Sequence, residues 1–326
     1  MSSTTTARPD EPRILSEECG LIDRPDRGKL ALTGSGAIEF LNGQVTNELA
    51  DLLPGQGRYA AFLNHKGGML GDVRIVLAAD PVEQGLPRLL LDTERACLQA
   101  LFDMIRRFKV GYDVELHKRT LERGMVSLIG PASQRIADAG ALAGEEHASV
   151  QVTLGSVRAL AIRTPRGVDL LCDGGAGAEL AEALLARGAQ RVSEQAAECV
   201  RIEDGRPRFG IDIGEGVIPQ EAGLNERAVS FTKGCYVGQE TVARLFYKGK
   251  PNRHLRGLRL SRPGLAGEPL LLGERSVGAL ASTAVSPVLG PIALALVRRE
   301  AQPGEELSLG QDARATVVEL PFEGRA

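Results

Sequence analysis

The sequence predicts an α+β protein made of two successive units that mix antiparallel strands with helices, followed by a small all-β unit. Three observations carry this reading. Strand-like runs and helical runs are interleaved between residues 29 and 116, the same mixture starts again near Met125, and helical periodicity fades beyond Pro251. Such interleaving argues against a doubly wound parallel sheet. At 326 residues the chain is long enough for two or three compact units.

The first thirteen residues, MSSTTTARPDEPR, are polar, hold two prolines and lack the apolar run of a signal peptide, so they read as a flexible tail. KLALTG (29–34) is a strand ending in a turn, and Ser35 is expected to cap a short helix carrying Ile38, Phe40 and Leu41. RYAAFLN (58–64) and MLGDVRIVLAA (69–79) are strands about HKGG, whose glycines suit a tight hairpin. RLLLD (88–92) is a third. Leu98, Leu101, Phe102, Ile105 and Phe108 then fall at helical spacing, with Arg106 and Arg107 at the end where cations suit the helix dipole. YDVEL (112–116) alternates like a strand.

In the second unit, MVSLIG (125–130) is a strand and Pro131 can start a helix. VRALAIRT (157–164) and VDLLC (168–172) form a hairpin around Pro165 and Gly167. Two helices follow, one stopped by Gly188 and one by Gly205. Beyond Pro251 short apolar runs such as LRGLRL and SVGALAST alternate with Gly and Pro, which suits a barrel. The uncharged run 278–297 is broken by Ser282, Thr283, Ser286, Pro287, Gly290 and Pro291, so it reads as barrel strands and a turn, not a membrane span.

A net charge of −3 argues against a protein that holds nucleic acid directly by its phosphates. The five cysteines are odd in number, widely spaced and without a C-x-x-C pair. That pattern fits a reducing, cytoplasmic location and signals neither a zinc site nor a cysteine-only cluster, so no metal is expected.

The sharpest motif is KGCYVGQE (233–240). Gly234 and Gly238 permit a tight bend or close backbone approach. Cys235 lies between glycine and polar neighbours, where Lys233 could favour the thiolate. It is the candidate functional thiol, against the plainer alternative that a free cysteine simply packs. His65, beside the hairpin, could face a ligand or stand exposed on the turn. The basic run KGKPNRHLR (248–256) reads either as a polyanion-binding segment or as a solvated linker.

KGCYVGQE, preceded by AVSF (228–231), resembles the signature of the YgfZ branch of the YgfZ/GcvT family. LTGSGAIEFLNGQVTNEL (32–49), RIEDGRPRFGID (201–212) and VGALASTAVSPVLGPIALALVRR (277–299) extend the resemblance over nearly the whole chain after the tail. The resemblance implies a GcvT-like ring of two ferredoxin-like subdomains (residues 14–250) and a C-terminal β-barrel (251–326) around a folate pocket. It implies tetrahydrofolate as the ligand, with iron–sulfur client or assembly proteins as partners.

YAAFLNHKGGMLGDV (59–73) resembles the segment of the glycine cleavage T-protein that runs from a pterin-contacting Tyr to a catalytic Asp, which assigns folate contact to Tyr59 and Asp72. GVDL (167–170) resembles the segment holding a Glu that pairs with the pterin ring, and Asp169 takes that place, with a plain surface strand Asp as the alternative. Two departures argue against glycine-cleavage chemistry. Gly71–Asp72 stands where T-proteins carry two acids, and Ala197–Glu198 where they carry Arg–Asp. The expected function is therefore a tetrahydrofolate-binding accessory protein for iron–sulfur cluster assembly or repair, extending to tRNA-modifying iron–sulfur enzymes. The alternatives are a folate-dependent one-carbon (aminomethyl or methyl) transferase and a folate-binding scaffold without chemistry.

Overall fold

The computed structural model of the chain describes residues 8–79, 88–310 and 312–324. A first helix, α1 (Glu11–Glu17), opens with Pro12 in its first turn, where the missing N–H costs nothing. Glu11 is buried, and its carboxylate accepts hydrogen bonds from the Ser193 backbone N–H (2.9 Å) and hydroxyl (2.6 Å). Residues 11–13 are thus helix rather than tail, because a tertiary contact nearly two hundred residues away holds them. Residues 1–7 of the expected tail lie outside the described residues.

The strand β1 (Gly20–Asp23) comes next, but it does not join its neighbours in sequence. The first sheet is built from β2 (Gly28–Thr33), β3 (Gly57–Leu63), β4 (Met69–Leu77), β5 (Arg88–Thr93) and β6 (Glu115–Lys118), in the order β3-β4-β5-β2-β6. With helices α2 (Ala37–Asn42) and α3 (Arg95–Phe108) added, β2-α2-β4-β5-α3-β6 has the ferredoxin-like arrangement, and β3 extends its edge. Cys97, Leu101 and Ile105 face the sheet from α3 at helical spacing and pack into one core with Phe40, Phe62 and Ile75.

The second sheet contains β7 (Arg123–Ile129), β8 (Ser149–Leu154), β9 (Val157–Thr164), β10 (Gly167–Asp173) and β11 (Gln190–Arg191), with helices α4 (Ser133–Ile136) and α5 (Gly177–Ala186). Its order is β11-β1-β7-β10-β9-β8. β1 is inserted between β11 and β7, parallel to the first and antiparallel to the second. The second unit is therefore discontinuous in sequence, and residues 24–27, joining β1 to β2, cross from one sheet to the other.

The helices α6 (Glu194–Glu203), capped by Ser193, α7 (Asn225–Ala228) and α8 (Gln239–Lys248) lead to the third unit. This is a curled antiparallel sheet of β12 (Arg253–Leu260), β13 (Pro269–Leu272), β14 (Arg275–Ala279), β15 (Thr283–Ser286), β16 (Gly290–Arg298), β17 (Glu306–Leu309) and β18 (Ala313–Val318), ordered β14-β13-β17-β18-β12-β16-β15. Val76, Met125, Leu160, Ile162 and Leu171 join the first two sheets. Ile202 of α6 joins the barrel through Leu255, Ile292, Leu294 and Phe322. Among the described residues no helix is long and apolar enough to cross a membrane.

Three local expectations are corrected. Ser35 does not cap α2, whose N-cap is Gly36; its hydroxyl instead donates to Asp113 (2.6 Å) and ties down the loop before β6. That strand starts at Glu115 rather than residue 112, because Tyr112 packs its ring on Phe40 (5.3 Å between centroids). Pro131 precedes a helix of only four residues that begins at Ser133.

If β1 is the spine of the second sheet, Leu21→Ala, at a fully buried position, should lower stability by about 2–5 kcal/mol. Urea denaturation of the two proteins would measure the loss, and a change under about 0.5 kcal/mol would show that the second sheet does not depend on β1.

Candidate functional site

A cavity of about 660 Å³ lies between the first two sheets and the α6 segment. β3 and β4 form its floor. Strand alternation points Asp72 and Arg74 toward the cavity side and Gly71 and Val73 into the core. In the β3–β4 register Tyr59 is opposite Arg74 and Ala61 opposite Asp72, so Tyr59 is a diagonal neighbour of Asp72. Its hydroxyl donates to Asp72 Oδ2 at 2.6 Å.

Burial pushes the Asp72 carboxyl up to about 6, a rise tempered by the Tyr59 hydrogen bond and by Arg27. Burial and the neighbouring Asp72 raise the Tyr59 phenol well above its ordinary value, so it remains a hydrogen-bond donor. A carboxyl that changes charge near neutral pH, held by a fixed donor in a cavity, is suited to accepting or returning a proton.

Around this pair lies a network of buried ions. Arg27, from the 24–27 crossing, reaches Asp92 (2.6 Å) and Glu94 (2.6 Å). Arg74 bridges Asp92 (2.7 Å) on the first sheet and Asp169 (2.6 Å) on the second. Asp169 also accepts from the Ser127 hydroxyl (2.6 Å), so both of its oxygens are engaged within the protein. On the other wall the Arg227 guanidinium stands 5.0 Å from the Tyr59 ring centroid and bonds Glu146 (2.9 Å). Glu146 also holds Arg206 (2.8 Å). Although burial opposes it, these arginines keep the Glu146 carboxyl down at about 2. His147, at a backbone φ of 71°, sits with its ring 6.3 Å from that of Tyr59; burial and Arg74 push its pKa down to about 3, so it is neutral at physiological pH.

Tyr59, Asp72 and Asp169, expected from sequence, all line this one cavity, together with Ala197 and Glu198. Arg27, Glu146, His147 and Arg227 were missed. They belong to no local motif, and only the crossing of β1 to β2, the β7–β8 connection and α7 bring them together.

The comparisons with known proteins follow the same outline. Residues 2–233 match the GCVT N-terminal domain, and residues 253–323 match the glycine cleavage T-protein C-terminal barrel domain. The chain belongs to the glycine cleavage T-protein family. It is 29% identical to an aminomethyltransferase of Geobacillus kaustophilus, over 97% of this chain and 90% of that protein. It is equally similar to an aminomethyltransferase of Streptomyces avermitilis, over 97% and 89%. The crystal structure of the glycine cleavage system aminomethyltransferase T of Bartonella henselae superposes with a TM-score of 0.83 at 27% identity, covering 98% of this chain and 91% of that one. The GcvT-like architecture read from the sequence is the one observed.

Within the T-protein fold, the two departures have physical consequences. A Cβ on Gly71 would lie 2.5 Å from Phe62 Cζ and 2.7 Å from Cys97 Cβ, so the core leaves no room for a second acid there. Ala197 contributes only a methyl group to the cavity wall. The nearby Arg201 and Arg208 are bound to Glu198, at 2.8 and 2.9 Å.

KGCYVGQE lies elsewhere. Cys235 is exposed and is not among the residues lining the cavity. The ammonium of Lys233 points inward, contacting the carbonyl oxygens of Asn42 (2.7 Å), Val45 (2.9 Å) and Asn47 (2.7 Å) and Asn42 Oδ1 (3.0 Å). These acceptors use all three of its donors, and burial lowers its pKa to about 8. The expected role of Lys233 as the cation activating Cys235 is corrected on this ground: it braces the loop after α2. Gly238, at φ +82°, fits against the β3–β4 hairpin, where a Cβ would come 2.5 Å from the Asn64 carbonyl. His65, on that hairpin, is exposed and does not line the cavity.

The raised Asp72 pKa has a signed consequence. The folded state takes up this proton more readily than the unfolded chain, so the cost of burying the charge is full above pH 6 and disappears as pH falls below 4. Asp72→Asn should therefore be more stable than wild type by on the order of 1–3 kcal/mol at pH 7.5, with the difference shrinking toward zero at pH 4. Denaturant titrations at several pH values test this, and a difference independent of pH would place the Asp72 pKa at its ordinary value.

Proposed function

We propose that the chain binds tetrahydrofolate in the central cavity and acts as a folate-dependent one-carbon transferase. The observation that carries this reading is the Tyr59–Asp72 pair, a buried carboxyl of pKa about 6 with a fixed donor at 2.6 Å. The cavity, at about 660 Å³, is of a size that encloses ligands of this class. Full-length similarity to proteins named aminomethyltransferase supports the same conclusion.

In this reading tetrahydrofolate supplies the nitrogen chemistry that carries the one-carbon unit. Asp72 hydrogen-bonds the folate ring or the reacting amine, and in its ionised form it can take a proton from nitrogen. Tyr59 holds the Asp72 carboxyl in place through its hydroxyl and offers its ring to the ligand. Arg74 and Ser127 fix Asp169, the second proposed ring contact, in orientation. With Ala197 where T-proteins carry Arg, the donor of the one-carbon unit is expected to differ from an aminomethylated lipoyl carrier.

Isothermal calorimetry with tetrahydrofolate should show micromolar-range or tighter binding, weakened about ten- to a hundredfold in Asp72→Ala, as expected for loss of a charged hydrogen bond. Unchanged affinity would remove Asp72 from the site. Turnover of folate with formaldehyde as one-carbon source, and its loss in Asp72→Ala, would support transfer; folate binding with no turnover of either formaldehyde or an aminomethyl donor would overturn it.

One observation favours a second reading, in which the protein belongs to the YgfZ branch and supports iron–sulfur enzymes. Cys235 is exposed in KGCYVGQE, outside the cavity. Burial raises the thiols of Cys19, Cys97 and Cys199 to between about 11 and 12, so these are poor nucleophiles. Cys235 should accordingly react first with a maleimide, as read by peptide mapping. In a knockout strain, Cys235→Ser should then fail to restore the activity of 4Fe–4S enzymes. Full restoration would leave the transferase reading alone.

A further inference from the structure

The barrel carries a second concave surface, remote from the folate site in its residues and in its chemistry. β14 is the last strand of the curled sheet and pairs with β13 on one side only. Its other edge faces β16. The two come together at one end, where Ala281 and Ser282 exchange backbone hydrogen bonds with Leu294 (2.9 Å each). At Gly278 they are still close, since a Cβ there would lie 2.9 Å from the Leu296 carbonyl. From that point the barrel does not close, and a groove of about 850 Å³ lies among Arg275, Gly278, Leu296, Arg298, Arg299 and Arg253.

The charges of this groove are unbalanced. Arg253 pairs with Glu221 (2.9 Å) and Arg275 with Glu300 (3.0 Å). Arg298 and Arg299 are exposed and form no ion pair among the described residues. Arg298 is moreover the direct cross-strand partner of Arg253 in the β12–β16 register, and like charges placed opposite each other destabilise a sheet. The basic run 248–256 that stands out in the sequence leads into this groove through Arg253. Its neighbours Lys248 and Lys250 are also exposed.

We propose that this groove is a docking site for an acidic peptide segment of a partner protein, held by its carboxylates against Arg298 and Arg299. The arginines offer planar forks for carboxylates, and the half-buried Leu296 gives the groove an apolar flank. A nucleic acid fits less well. No aromatic residue lines the groove to stack a base, and the chain as a whole carries a charge of −3.

The test is fluorescence anisotropy with a labelled peptide of about eight residues alternating Glu and Val, titrated with the full chain at low and at moderate salt. Binding is expected, falling with salt, and absent for the matching Lys–Val peptide. The double variant R298E/R299E should weaken binding about tenfold or more, while R298K/R299K keeps most of it. Both positions are exposed, and circular dichroism of each variant confirms that it is folded. Equal binding to wild type and R298E/R299E would overturn the proposal. So would an oligothymidylate of similar charge that binds more tightly than the peptide and loses its affinity in the same variant.

Discussion

Much of this molecule depends on one buried ion pair network, centred on Arg74. Its guanidinium, 7% exposed, reaches Asp92 on its own sheet and Asp169 on the other. Desolvating three charges is costly, and the arrangement holds only because each carboxylate has a further donor: Arg27 on Asp92 and Ser127 on Asp169. Removing the guanidinium would leave two buried carboxylates facing each other across the domain boundary. The clamp therefore fixes the separation of the sheets, and with it the width of the cavity.

The same network explains the state of Asp72. It lies on the same strand as Arg74, two residues away, but among the described residues it receives no direct ion pair of its own. Its one strong partner is neutral, the Tyr59 hydroxyl. Arg27 is near enough to favour the anion but is bound to Asp92 and Glu94, whose charges act in the opposite sense. A carboxyl so placed is raised to about 6, while Asp92, although burial opposes it, is held below its ordinary value by Arg27 and Arg74. Two acids in one wall are thus driven apart by environment. Across the cavity, Glu146 with Arg206 and Arg227 repeats the structural role and packs a cation against the Tyr59 ring.

The family scaffold constrains where this chain can differ. Gly71 is enforced by Phe62 and Cys97 behind it, so the core side of β4 has no room for a second acid beside Asp72. Ala197 enlarges the cavity near α6, and the arginines around it are neutralised by Glu198 and Asp212. KGCYVGQE packs on the β3–β4 hairpin through Gly238 and Tyr236, and through Lys233 on the loop after α2. The segment that presents Cys235 is thus braced against the strands that carry Tyr59 and Asp72, although the thiol itself lies outside the cavity.

The sequence by itself determined the local elements and the strongest motif residues. Alternation marked β3, β4, β9 and β10, helical spacing marked α3, and the 59–73 segment located Tyr59 and Asp72, because each of these signals lies within one or two turns of chain. It did not determine that β1 enters the second sheet, that residues 11–13 are helix, or that Lys233 turns inward. Nor did it show that Arg27, Glu146, His147 and Arg227 line the same cavity as Asp72. Each of these depends on contacts between residues far apart in the chain, where pairing register and burial outweigh local preference. The ionisation of Asp72 belongs to the same class. A carboxylate's type is written in the sequence, but its pKa is set by the dielectric and the charges that tertiary structure gathers around it.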